Sequence, residues 1–212
     1  MITEPESKNI SLRIPPNYST WQTIELTYYF CKDAVDKGIE GDFVECGVAA
    51  GNNFGAMLLA GRKGWGFDSF EGIPWCSDKD DIQPGMSGKP KFTKGESSGI
   101  SSHSMEGVIS NLEIWGCGDN YELVKGWFKD TIPNNKIEKI AVLRLDGDLY
   151  ESTMTPLKYL YSKLSIGGYL IIDDWELGGC RKAFYEFFSE NSPELIYQKD
   201  SHPAYFKKTK QL

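Results

Sequence analysis

The 212-residue chain is predicted to form a doubly wound α/β domain with a mostly parallel sheet and a C-terminal antiparallel hairpin. Three observations carry that prediction. Short apolar runs alternate with segments of helical periodicity. A turn of small residues, 47–53, follows directly on the first of those runs. Four of the runs end in acids: Glu45, Asp68, Asp146 with Asp148, and Asp173 with Asp174. Open parallel sheets bind ligands beyond the carboxyl ends of their strands, so acids gathered there point to a site.

The elements follow in order. Residues 1–18 are polar and proline-containing and are expected to form a loose N-terminal arm, with the domain proper at 19–212. Ser19 or Thr20 can cap a helix whose apolar face is Trp21, Ile24, Tyr28, Cys31 and Val35, ended by Gly38. Residues 42–47 read as a short buried strand, 56–60 as a helix and 64–70 as a second strand, a β-α-β unit with a right-handed crossover. Residues 76–104 hold Gly85, Gly88, Gly95 and Gly99 and show no periodicity. A loop of that length is either a lid over a substrate or an insertion without a role in binding. A helix is expected at 105–115, and strands at 121–125 and 140–145. Residues 155–164 read as a helix with Ser152 as its cap and Pro156 in its first turn. A strand at 168–172, an amphipathic helix at 181–188 and two closing strands near 195–197 and 205–207 complete the order.

Composition narrows the function classes. A formal charge of −7 and a pI near 5.0 argue against a nucleic-acid surface and against binding to anionic membranes. No apolar stretch approaches the ~20 residues of a membrane-spanning helix, and the first residues lack the apolar core of a signal peptide. The five cysteines are odd in number and widely spaced with no CxxC pair. They argue against a zinc knuckle and for a reducing compartment, so a cytoplasmic location is expected. Trp21 and Tyr28 can serve a homodimer interface or the core equally well.

Glu45-Cys46-Gly47-Val48-Ala49-Ala50-Gly51 reads as acid-x-Gly-x-x-x-Gly directly after the first strand. It lacks the G-x-G-x-x-G of a dinucleotide site, and its acid suits a cationic or hydroxyl-rich ligand better than a pyrophosphate. Asp68, at the next strand end, is placed to accept hydrogen bonds from ribose hydroxyls. Asp146, Asp148, Asp173 and Asp174 converge from two strand ends. Bare carboxylates so packed repel one another, and Mg²⁺ or another hard divalent cation relieves the repulsion through oxygen ligands. The bland alternatives are an ordinary strand-to-helix turn at 45–51, a solvated acid at a strand terminus for Asp68, and exposed acids in loops for the cluster.

These stretches resemble the TylF/MycF-type macrocin O-methyltransferases, which methylate sugar hydroxyls of natural products. The matching segments are GDFVECGVAAG (41–51), FDSFEGIP (67–74), LVKGWFKDTIP (123–133), AVLRLDGDLYESTM (141–154) and GGYLIIDDW (167–175). The resemblance implies a Rossmann-like class I methyltransferase fold, S-adenosylmethionine as cofactor and a Mg²⁺ site. It implies Asp146, Asp173 and Asp174 as metal ligands and Asp148, with Asp146, as the catalytic acids. Glu45, Gly47, Gly51, Asn52, Asp68, Ser69, Phe70 and Asp146 fall in the cofactor site, and Gly126 and Trp127 at its adenine end. The chain departs from the family's usual Trp-Arg-Gly-Gly run at Ala49-Ala50-Gly51-Asn52, and no Arg follows Gln22 and Glu25 on the first helix.

The implied reaction is methyl transfer from S-adenosylmethionine to a hydroxyl of a small acceptor, a sugar or similar polyol. Asp148 would take the proton, with His103 on the insertion as a rival base. Two other classes compete. Asp146-Gly147-Asp148 is a DxD, the mark of a metal-dependent glycosyltransferase. The same fold can also serve as a non-catalytic binding module.

Overall fold

A computed structural model describes residues 10, 13–16, 19–74, 76–80, 98–198 and 201–211. Helix α1 (Trp21–Asp36) is capped by Thr20, whose Oγ1 accepts the Thr23 amide at 3.2 Å. There follow β1 (Asp42–Cys46), α2 (Asn52–Leu59) and β2 (Gly64–Asp68). After the insertion come α3 (Met105–Ile114), β3 (Tyr121–Lys125) and the short α4 (Phe128–Thr131). The chain continues through β4 (Ile140–Leu145), α5 (Tyr150–Leu160), β5 (Leu164–Ile172) and α6 (Gly178–Phe188). It closes with β6 (Ile196–Gln198) and β7 (Ser201–Lys207).

The seven strands form one sheet in the order β3-β2-β1-β4-β5-β7-β6. The first five are parallel, and β7 runs antiparallel to both β5 and β6. The order reverses between β1 and β4, the crevice where such sheets bind ligands. Both faces are covered. Phe43, Val142 and Ile171 pack with α1, α2 and α3 through Ile24, Phe54, Met57 and Leu112. Val44, Leu143, Leu145 and Ile172 pack on the other face with Leu157, Leu160, Phe184 and Phe188 of α5 and α6. Each such buried side chain contributes about 1.5–3 kcal/mol.

Several expected boundaries move, each for a tertiary reason. Helix α2 begins at Asn52 rather than at residue 56. Asn52 Nδ2 donates to the Pro15 carbonyl at 2.6 Å, Asn53 Nδ2 donates to Ser19 Oγ at 2.5 Å, and Asn53 Oδ1 accepts from Thr27 at 3.1 Å. Poor helix formers are thereby satisfied in the first turn. Helix α5 begins at Tyr150 instead of 155, so Ser152 lies inside it rather than capping it. Strand β5 starts at Leu164, four residues before the expected start, and α4 was not expected at all.

Within the expected arm, Ile10 and Ile14 are buried in the core, while residues 1–9, 11–12 and 17–18 lie outside the described residues. Most of the expected lid lies outside the described residues. Its stems are anchored: Ile73 exchanges backbone hydrogen bonds with Ser98 and Ile100, while Asp80 reaches α5. All five cysteines are free thiols. Among the described residues, no helix is long and apolar enough to cross a membrane.

Candidate functional site

A cavity of about 390 Å³ opens at the carboxyl ends of β1, β2, β4 and β5. That is within the usual size of small-molecule sites. Of the residues expected to bind ligands, Gly47, Asn52, Asp68, Ser69, Trp127, Asp146, Asp148, Asp173 and Asp174 line it. Glu45, Gly51, Phe70 and Gly126 do not, and neither does His103.

Gly47 is required by the sheet itself. At φ +99°, a Cβ there would stand 1.7 Å from the carbonyl oxygen of Asp146. The turn after β1 thus rides directly over the end of β4, where the Asp146 amide donates to the Cys46 carbonyl at 2.8 Å. Asp68 then fixes the turn from β2. Its Oδ2 accepts the amides of Val48 (2.8 Å) and Ala49 (3.0 Å), and its Oδ1 accepts that of Phe70 (2.7 Å). Ala49 and Phe70 hold φ of +46° and +55°, conformations unusual for residues with a Cβ.

The acids are organised by a residue that strand-end reasoning missed. Arg144 is fully buried in β4. Sheet register sets Glu45 of β1 opposite Arg144 and Ile171 of β5 on its other side. Side chains two residues apart share a face, so Asp146 and Asp173 lie just beyond Arg144 on its own face. The guanidinium takes up that arrangement. Nη1 donates to Glu45 Oε1 at 2.9 Å and to Asp146 Oδ2 at 2.5 Å, and Nη2 donates to Asp173 Oδ1. The sequence signal was available: a charge inside the apolar strand IAVLRL must be paired if buried.

Glu45, expected in the cofactor site, is a buried partner of Arg144, 1% exposed, and does not itself line the cavity. The reason is register: its carboxylate lies one row behind the cavity floor. Burial pushes its carboxyl well above the usual range, against the pull of Arg144. Although burial disfavours the charge of Arg144, Asp173, Asp146 and Glu45 together raise its pKa.

Asp146, Asp173 and Asp174 each offer an oxygen within 4.8 Å of the others. Asp148 stands beside them at φ +63°, and its amide donates to Asp174 Oδ2 at 2.8 Å. Burial, then the charges of Asp146 and Asp173, push Asp148 up to about 7. Burial and the charges of Asp148, Asp146 and Asp173 raise Asp174 as well. Three carboxylates, Glu45, Asp146 and Asp173, face a single guanidinium, with Asp148 and Asp174 beside them, and the donors nearest the cavity are all oxygens. This donor set fits a hard divalent cation. The turn at 47–49, the acid Asp68 and the aromatic pair Trp127 and Phe128 fit a hydroxyl-bearing, aromatic cofactor on the other side of the same cavity.

The comparisons agree with this geometry. A model of the family described as Macrocin-O-methyltransferase (TylF) matches residues 27–208. The chain is 37% identical over 168 residues to 8-demethyl-8-(2,3-dimethoxy-alpha-L-rhamnosyl)-tetracenomycin-C 4'-O-methyltransferase of Streptomyces olivaceus, covering 75% of this chain and 62% of that one. It is 32% identical over 190 residues to mycinamicin III 3''-O-methyltransferase of Micromonospora griseorubida, covering 84% and 72%. The solved structure of the O-methyltransferase NovP superposes with a TM-score of 0.76 at 30% identity, covering 92% of this chain and 83% of that one. The chain thus spans a little over three fifths of the length of the first of these relatives.

Proposed function

The chain belongs to the macrocin O-methyltransferase (TylF) family, and on that premise we propose that it transfers the methyl group of S-adenosylmethionine to a hydroxyl of a small acceptor, a sugar carried by a natural product. The observation that carries the reading is the shared cavity: a cofactor-type turn at 47–49 and Asp68 on one side, and the Asp146, Asp173 and Asp174 cluster with Asp148 on the other.

Asp68 holds the turn that borders the cofactor, and Trp127 and Phe128 form its aromatic wall. S-adenosylmethionine supplies a methyl already activated on a sulfonium. Asp146, Asp173 and Asp174 are the residues that would hold Mg²⁺ or another hard cation, which would bind neighbouring acceptor hydroxyls and lower their pKa. Asp148, fixed by its own amide to Asp174, is placed to take the acceptor's proton on a carboxylate oxygen. Holding both reactants in one cleft is the larger contribution, up to about 7–11 kcal/mol in ideal systems.

The test is mass spectrometry of a sugar and catechol panel incubated with S-adenosylmethionine and Mg²⁺. Wild type should give a mass gain of one methyl. Asp146→Ala and Asp173→Ala should lose turnover while still binding S-adenosylmethionine by calorimetry. Full activity of both variants in chelator would refute the metal assignment. Stabilisation by UDP-sugars but not by S-adenosylmethionine would favour the rival DxD glycosyltransferase.

A further inference from the structure

Arg144 takes no part in the reaction proposed above, yet its guanidinium is the hub of the acidic site. It is fully buried, and its two terminal nitrogens divide the neighbouring acids between them. Nη1 serves Glu45 and Asp146, and Nη2 serves Asp173. A guanidinium is planar and forked, so it fixes the direction of each carboxylate as well as its charge; an ammonium does neither as well. Asp146 and Asp173 are two of the three residues that could share one cation. They follow the ends of different strands, and Arg144 sits one row before both, opposite Ile171. Asp174, the third, is fixed independently by the Asp148 amide.

We propose that Arg144 is a positioning residue for the cation site: it sets the spacing and orientation of Asp146 and Asp173 and serves as their counter-charge until a divalent ion binds. This rests on the metal reading given above. Without the guanidinium, Asp146 and Asp173 would face each other and Glu45 with no internal cation, and like charges so close splay apart or take up protons. With it, each aspartate keeps one oxygen turned inward to Arg144 and the cluster is assembled before the ion arrives. Glu45 belongs to the same device. From β1 it accepts from the same Nη1 that serves Asp146, adding a second buried carboxylate to that nitrogen. Its Oε2 and the Nε of Arg144 are buried without a hydrogen-bond partner. That is a costly arrangement to retain for packing alone.

The proposal separates from a purely structural role by metal binding. Mn²⁺ alone serves as the probe, measured by electron paramagnetic resonance and by thermal melting with and without the ion. Arg144→Lys retains the charge but loses the fork. It should weaken Mn²⁺ binding about 10–100-fold, the usual cost of removing a residue that orients metal ligands. Its affinity for S-adenosylmethionine should stay within about threefold of wild type. The variant should also melt lower than wild type in chelator, and the deficit should widen in Mn²⁺, because weaker binding lets the ion stabilise the variant less than wild type. A structural role would lower both melting points equally.

Unchanged Mn²⁺ affinity in Arg144→Lys would overturn the inference while leaving the metal reading intact. A wild-type protein that takes up no Mn²⁺ would overturn both. If Arg144→Lys does not fold even in Mn²⁺, Glu45→Gln decides. It keeps the shape and an accepting oxygen but removes the charge that grips the guanidinium, and it should weaken Mn²⁺ binding in the same direction; no change there would overturn the inference.

Discussion

A contact between two distant segments beside the site invites a double-mutant cycle. Asp80, on the stem of the insertion, places Oδ1 2.6 Å from the amide of Tyr150, the first residue of α5. Its Oδ2 accepts both the amide and the hydroxyl of Ser77 at 2.8 Å. Leu149, which occupies the capping position, provides no side-chain cap, so Asp80 acts as the cap from 70 residues away. Gly179 of α6 makes room for it: a Cβ there would stand 2.1 Å from Asp80 Oδ1. Asp80→Ala should therefore cost about 1–2 kcal/mol, the upper range for a lost cap. For a chain of this size that lowers Tm by about 2–8 °C.

Gly179→Ala should cost a similar amount by displacing the same carboxylate, tempered by up to about 1 kcal/mol of better helix propensity. The double variant should be no less stable than Asp80→Ala alone, because the new methyl group then loses its clash with the carboxylate and stands 3.0 Å from the Tyr150 amide nitrogen. Urea unfolding at equal m-values measures all four proteins, and hydrogen exchange should show the Tyr150 amide deprotected in each single variant. Additive losses, within about 0.5 kcal/mol, would refute the account, since coupling is its central claim.

Two further outcomes follow from other parts of the fold. Ile14→Ala should destabilise by about 2–5 kcal/mol, the range for a buried aliphatic truncation, as read by urea unfolding; a change near zero would mean the N-terminal segment does not dock. Asp33 is partly buried, which opposes its charge, yet hydrogen bonds from Lys37 and the Tyr169 hydroxyl (2.6 Å) lower its pKa below the usual 3.8. A depressed folded value adds stability above the unfolded pKa that is lost as pH falls through the folded one. Tyr169→Phe should therefore flatten the loss of stability on acidification below pH about 4, measured by melting across a pH series. An unchanged slope would count against the Tyr169 contact.

The strands, their parallel order and the acids at their ends were legible because a strand repeats every two residues and a β-α-β crossover has one hand. Those local rules bring Asp68, Asp146, Asp148, Asp173 and Asp174 to one edge of the sheet without any knowledge of packing. Tertiary structure alone decided the remainder. Whether Glu45 faces the cavity or lies behind it depends on register against Arg144, a contact spanning 99 residues. Where α5 begins depends on Asp80, and why asparagines open α2 depends on Pro15, Ser19 and Thr27. The physical reason is common to these cases. Periodicity records which face of an element is apolar, whereas a buried charge or an uncapped amide is satisfied by whatever group the fold brings near, and sequence separation says nothing about that partner.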